Sequence, residues 1–244
     1  MKIGIIGAGN IGAALAGKLV ASGHSVKLAN SKGPETLAGL ARSTGATAVS
    51  AEEAVKDVEA LILSIPFAAY PQLAGLLKEV PLDVAVLDTS NYYPFRDGAI
   101  AEVDAGKPES VWVSEQIGRP VIKAWNAALA ATLADKGRPA GEPGRIALPV
   151  AGDDPDAKII AMKLVEDTGF DTLDAGPLAT SWRQQPGTPA YCTELTAAEL
   201  TAALQAADRS RAAENREKLI KQFSETGKMP SHDEAVALNR VVTR

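Results

Sequence analysis

The sequence predicts an α/β protein built on a doubly wound, mostly parallel sheet, with a small helical appendage at the C-terminal end. Three observations carry this. Short apolar, β-rich runs alternate with helical patterns at the spacing of βαβ units, whose crossovers are right-handed. Two of those runs, Ala60–Ser64 and Val84–Asp88, are almost wholly apolar, as strands buried on both faces of a parallel sheet must be. A glycine-rich segment directly follows the first run and opens the first helical pattern.

Taken in order, Lys2–Ile6 reads as the first strand and 11–22 as a helix with Leu15, Leu19 and Val20 on one face. Ser25–Ala29 is the second strand, followed by a turn at Asn30–Pro34 and a helix over 35–43. Thr47–Val49 is a short third strand, and Ser50-Ala51-Glu52-Glu53 has the capping-box form that opens a helix. A helix over 70–78 separates the fourth and fifth strands, and Val121–Ala124 reads as the sixth. Arg145–Ala151 and Asp171–Asp174 continue the same pattern as further strands, joined by a helix over 154–168 that carries Ile159, Ile160, Met162, Leu164 and Val165. After Pro177 the pattern changes. A polar, proline-containing loop spans 181–192, and Thr196-Ala197-Ala198-Glu199 opens a helical stretch to about Phe223. The tail from Gly227 to Arg244 holds Val236, Leu238, Val241 and Val242, enough for one short docking helix. The expected division is therefore a sheet domain over 1–178 and a loop and helical region over 179–244. Leu200, Leu204 and Ala207 of that region cannot bury themselves alone, so it should pack on the sheet domain or across a two-fold axis; a homodimer in which it completes the site is expected.

Composition limits the chemistry. The 244 residues are 46% hydrophobic, which suits one domain or one domain with a small appendage. With 25 Lys+Arg against 30 Asp+Glu, the chain lacks the basic face of a nucleic-acid binder. No apolar run is long enough to span a membrane, and the N-terminal run is too short and glycine-broken for a secretory signal, so a cytoplasmic protein without membrane partners is expected. One cysteine, Cys192, and two histidines, His24 and His232, leave little for a nucleophilic triad and no cluster for a metal. Of the eleven aromatic residues, Phe67, Tyr70, Tyr92, Tyr93, Phe95 and Trp125 follow strand ends and should ring the carboxyl edge of the sheet. The chemistry is then expected to come from a bound cofactor.

Gly7-Ala8-Gly9-Asn10-Ile11-Gly12 is a G-x-G-x-x-G between strand and helix, the context a dinucleotide requires, and marks a Rossmann-type sheet. Gly7 permits the tight turn, Gly9 the approach of a pyrophosphate, and Gly12 close packing of helix on strand, with Asn10 and Ile11 presenting free N–H groups at the positive helix end. The residues after the second strand, Asn30-Ser31-Lys32, contain no carboxylate to repel a 2′-phosphate and can hydrogen-bond it, so the cofactor expected is NADP(H). Ser64-Ile65-Pro66 and Asn91 end the fourth and fifth strands, where open α/β sheets bind ligands.

Several segments together resemble the NADP oxidoreductases that use the deazaflavin coenzyme F-420. They are Gly7–Gly12 with Asn10, Asn30-Ser31-Lys32, Ser64-Ile65-Pro66, Val121-Ile122-Lys123-Ala124-Trp125-Asn126, Val150-Ala151-Gly152-Asp153-Asp154 and Asp174-Ala175-Gly176-Pro177-Leu178. The resemblance implies hydride exchange between NADP(H) and a flavin or deazaflavin co-substrate, with Trp125, Asn126 and Ala128 lining the place where the two rings meet. Two blocks, 91–98 and 181–192, depart from the archaeal pattern and resemble a bacterial subgroup. Two other readings stay open: a reductase of a small carbonyl or imine, with Tyr92, Tyr93 or Lys123 as proton donor, and a non-catalytic NADP-binding module. Arg96, Trp182 and Arg183 are the remaining candidates for holding a substrate, the guanidinium groups by bidentate contact with an anion.

Overall fold

The structure is a computed structural model and describes residues 1–225 and 230–244. Gly227, where the tail was placed, lies outside the described residues. Six parallel strands form the main sheet in the order β3-β2-β1-β4-β5-β6: β1 Lys2–Ile6, β2 Ser25–Ala29, β3 Thr47–Ala48, β4 Ala60–Leu63, β5 Ala85–Asp88 and β6 Ile122–Lys123. The strand order reverses between β1 and β4, so the carboxyl ends of those two strands flank a crevice.

Alternation along each strand builds two cores. Ile3, Ile5, Leu28, Ile62 and Leu87 face one layer, where the helix Asn10–Ala21 contributes Leu15 and Leu19 and the helix Pro155–Asp167 contributes Leu164 and Val165. Ile6, Leu61, Leu63 and Val86 face the other, under the helix Glu109–Ile117. The capping box at Ser50 forms in part: its hydroxyl accepts the Glu53 N–H, and the helix that follows is a single turn.

Four expectations are corrected. The last two strands, β7 Ala147–Val150 and β8 Asp171–Asp174, do not join the main sheet; they form a separate parallel pair. The edge strand β6 has only two residues, and Trp125 then takes a left-handed backbone conformation (φ 57°) that turns the chain away. The only ladder link between the sheets among the described residues is an antiparallel bridge from Lys123 to Ala151. The helices expected over 35–43 and 70–78 each begin as a 3-10 turn, Pro34–Leu37 and Phe67–Leu73, the second with Pro71 inside it, where no backbone donor exists. The helical stretch after Thr196 breaks into Ala197–Ala206 and Arg209–Glu225, because the Asp208 carboxylate accepts the Ser210 N–H and restarts the helix, leaving Ala207 outside it.

The fourth correction concerns the aromatic residues. Phe67, Tyr70 and Tyr92 do not ring the sheet edge; they are buried in the second core with Trp112, whose ring stacks on Phe67 at 4.8 Å. Leu200 and Leu204 pack with Ala147 and Leu173 of the small sheet, so this chain covers that apolar face itself, and the argument for a homodimer from an uncovered face lapses. A last helix, His232–Val242, opens with a complete capping box at Ser231 and buries Val236. Among the described residues no helix is long and apolar enough to cross a membrane, and no group of three or more potential metal ligands occurs.

Candidate active site

Hydrogen bonding and close packing fix the glycine turn after β1. The Gly7 N–H donates to the Ala29 carbonyl at 2.8 Å and Gly7 has φ 109°, a region open to glycine. A Cβ on Gly7 would lie 1.9 Å from the Ser64 oxygen, and one on Gly12 would lie 1.9 Å from the Gly7 oxygen. Gly9 is the opposite case: a Cβ there would meet nothing within 4 Å. Gly9 also caps the helix Asn10–Ala21 with no side chain bonded to the helix end, so the first-turn N–H groups face open space at the positive end of the dipole.

Two cavities meet over this turn, sharing Gly9, Ser64, Ile65 and Pro66. The first, about 530 Å³, runs from Gly7 to the Asn30-Ser31-Lys32 wall and has no carboxylate in its lining. The Asn30 carboxamide shapes that wall: it accepts the Lys32 N–H at 2.9 Å and donates to Thr36 Oγ1 at 2.9 Å. Ser31 and Lys32 are exposed, and Lys32 makes no ion pair among the described residues.

The second cavity, about 360 Å³, lies over the carboxyl ends of β4, β5 and β6. Asn10 and Ile11 form one side of it; Asn91, Tyr93, Arg96, Trp125, Asn126 and Ala128 form much of the rest. Trp125 is rigid, with its indole N–H donated to Thr168 Oγ1 at 3.1 Å and its ring 1% exposed. Asn126 is saturated. Its amide donates to Asn91 Oδ1 at 3.0 Å and to the Gln184 carbonyl at 2.7 Å, and its Oδ1 accepts from the Gln184 amide at 2.9 Å. Asn91 completes the loop by donating to the Asn126 carbonyl at 2.9 Å. Asn126 therefore positions the cavity wall and has no amide proton left to polarise a substrate. Arg96 is held by Asp97 at 2.7 Å and by the Asn91 carbonyl, with its guanidinium 5.3 Å from the centre of the Tyr93 ring.

Four predicted residues lie elsewhere. Tyr92 is buried under the sheet, its hydroxyl shared by Gly98, Asp104 and the Ile100 N–H. Lys123 is fully buried in an ion pair with Glu109 at 3.2 Å and donates to the Ser90 carbonyl, so its ammonium faces the second core and not the cavity. Period-two geometry is the reason: neighbouring residues at a strand exit point to opposite faces. Burial raises the Glu109 carboxyl above its ordinary range, outweighing the neighbouring Lys123, which lowers it. Trp182 lines a separate cavity, of about 490 Å³, beside Arg209, and Arg183 is exposed with its guanidinium 5.5 Å from that indole.

Sequence reasoning missed Tyr191. Its hydroxyl lies 2.7 Å from that of Tyr93, and both residues line the second cavity. Burial raises both phenols well above their ordinary range and pushes the adjacent Cys192 thiol up to about 12. No local pattern marks Tyr191, because it reaches the cavity through a loop 98 residues from Tyr93; its place follows only from the three-dimensional fold.

The family model described as "NADP oxidoreductase coenzyme F420-dependent" matches residues 2–92, the segment from β1 through the exit of β5. The protein YjhV of Escherichia coli K12 is 40% identical over 104 residues, covering 43% of this chain and 76% of that protein. The hypothetical protein SMa0349 of Sinorhizobium meliloti superposes with a TM-score of 0.68 at 30% identity, covering 80% of this chain and 95% of that one. A "putative f420 dependent nadp-reductase" from Arthrobacter sp. FB24 shares the fold, with a TM-score of 0.61 at 20% identity over 93% of this chain and 96% of that chain. The chain belongs to the family of NADP oxidoreductases described as coenzyme F420-dependent, and it is an NADP-dependent oxidoreductase.

Proposed function

We propose that this enzyme passes a hydride between NADP(H) and a flavin or deazaflavin ring. The observation that carries the reading is the continuous trough, open at Gly9 and ending in a cavity whose lining contains no acid. The residues present fit the dinucleotide. Space at Gly9 and free helix N–H groups suit the pyrophosphate, and Ser31 with Lys32 suits the 2′-phosphate. When bound, the nicotinamide supplies the hydride. The chain's own residues then bind, orient and exclude water: Pro66 and Ile65 close one side of the trough, and the Asn91–Asn126–Gln184 network holds the other.

Two rings need mainly spacing and alignment, since the proton that completes reduction can come from solvent. Reduction of an imine favours a carboxylate beside the cationic iminium nitrogen, and the cavity lining offers none. For a carbonyl reductase, two of the expected donors, Tyr92 and Lys123, are committed elsewhere. The segment 179–244 belongs to the site in this reading, because it supplies Tyr191 and Gln184. The test is NADPH oxidation with coenzyme F420 and with FMN, against a panel of small carbonyls and imines. Turnover with a ring acceptor supports the reading; turnover confined to the carbonyl and imine panel refutes it, and NADPH binding without turnover on either refutes catalysis.

A further inference from the structure

We infer that Tyr93 and Tyr191 act as one neutral hydrogen-bond donor, which selects acceptors carrying a carbonyl oxygen conjugated to the atom that receives the hydride. This rests on the proposed hydride transfer and names the group in the site that meets the acceptor. Both phenols line the cavity, and their oxygens are 2.7 Å apart. Burial keeps each protonated. Two protons then serve one shared hydrogen bond, and the second must be donated elsewhere. The Cys192 thiol lies beside Tyr191, is fully buried, and stays a thiol. A thiol is a weak acceptor, so Tyr191 gives its proton to Tyr93 and Tyr93 keeps a free O–H. Tyr93 is also the less buried of the two, and the Arg96 charge over its ring makes its hydroxyl a better donor.

Among the described residues lining the cavity, the Thr89 hydroxyl is spent on the Leu63 carbonyl and the Ser90 hydroxyl on Asp88, while the Tyr93–Tyr191 pair holds its hydroxyls in a fixed mutual direction. Asn126 is saturated and Arg96 is bound to Asp97 and Asn91. The donor is uncharged and no carboxylate lines the cavity, so it suits a neutral oxygen that gains negative charge better than a cationic iminium. The electron count closes without the tyrosines. NADPH gives up the hydride and becomes NADP⁺, the acceptor takes the electron pair, part of it on its carbonyl oxygen, and a solvent proton completes the reduction. Tyr93 donates a hydrogen bond to that oxygen and transfers no proton. It is then a catalytic residue by contact, and Tyr191 is a positioning residue that orients it.

The test uses the full chain with Tyr93→Phe and Tyr191→Phe, a pair in which each variant removes one hydroxyl and keeps the ring. Two quantities are read: the dissociation constant of oxidised FMN and coenzyme F420 by fluorescence quenching, and kcat with NADPH. Losing the donor should weaken acceptor binding by about tenfold and lower kcat by roughly 100-fold, at the lower edge of what removing one donor to a developing oxyanion costs. Tyr191→Phe should lower kcat by less, about threefold, because the terminal donor remains but loses its orientation. Neither phenol ionises near neutrality, so above the second ionisation of the FMN phosphate, between about pH 7.5 and 9, acceptor binding to the parent should be flat. Variants with the parent's dissociation constant and kcat overturn the inference and leave the hydride-transfer reading standing. A parent that loses acceptor binding as pH rises from about 7.5 to 9, with the loss abolished in Tyr93→Phe, also overturns it, since Tyr93 would then be a titrating acid. A parent that binds neither ring acceptor and transfers no hydride to either overturns both.

Discussion

Gly9 and Gly12 sit three residues apart in the same turn, yet substituting each should fail in a different way. At Gly12 an added Cβ falls 1.9 Å from the Gly7 carbonyl oxygen, so the helix must move off the strand. Overpacking of this kind costs about 1–3 kcal/mol or more, which for a chain of this size is about 2–4 °C of Tm per kcal/mol. At Gly9 the Cβ meets nothing within 4 Å, and φ −73° is open to any residue. The apo cost of Gly9→Ala is then the loss of a tolerable helix cap, at most about 1 kcal/mol. The space it fills is the space a pyrophosphate needs. The assay is a thermal melt with and without NADPH at 100 times the parent's Kd. The parent should gain about 2.7 kcal/mol from ligand, or roughly 5–11 °C. If Gly9→Ala weakens binding 100-fold, the same NADPH gives it about 0.4 kcal/mol, a shift near 1 °C. Gly12→Ala should instead melt lower before any ligand is added. A Gly9→Ala variant with the parent's ligand shift, or a Gly12→Ala variant with the parent's apo Tm, would refute the reasoning.

Lys32→Ala should weaken NADPH by about tenfold and leave NADH nearly unchanged, since it removes the charge proposed to meet the 2′-phosphate; competition binding of the two nucleotides at matched salt checks this. Lys123→Met should cost about 3–5 kcal/mol because it strands Glu109 in the core. Without its partner the Glu109 carboxyl is raised further above its unfolded value, so the folded state holds a proton that the unfolded state has released. The stability of that variant should fall as pH rises from about 4.5 through the raised folded value, which urea unfolding at pH 5 and pH 8 would show. Cys192, buried with its thiol near 12, should resist a disulfide reagent in the native protein at pH 8 and react at once in denaturant.

What the sequence shows depends on how far a residue's partners lie along the chain. The glycine turn, the capping box at Thr196 and the apolar runs of β4 and β5 are legible because their partners lie within a few residues. The Asn30 turn is legible as a turn, but not its inward-facing carboxamide, which bonds Thr36 and the Lys32 N–H. Lys123 and Asn126 look like a pair in the sequence; the left-handed turn at Trp125 and an acid fourteen residues away, Glu109, send Lys123 to the other layer. The small sheet is indistinguishable from a continuation of the large one in local pattern, because both are short parallel strands with a helix between them. Tyr191 stays hidden for the same reason: nothing near it in the chain resembles what it touches.

The bridge from Lys123 to Ala151 divides labour along the chain. Before it, the first 92 residues supply the whole glycine turn and the Asn30–Lys32 wall, all on the large sheet. Beyond it, the small sheet and the segment reaching Gln184 and Tyr191 are tied back to the cavity by side-chain bonds to Asn126 and Tyr93. Such an arrangement is modular. The half proposed to hold the nucleotide can stay constant while the segment around 178–196 is exchanged as a cassette, so that the acceptor changes and the proposed NADPH trough does not.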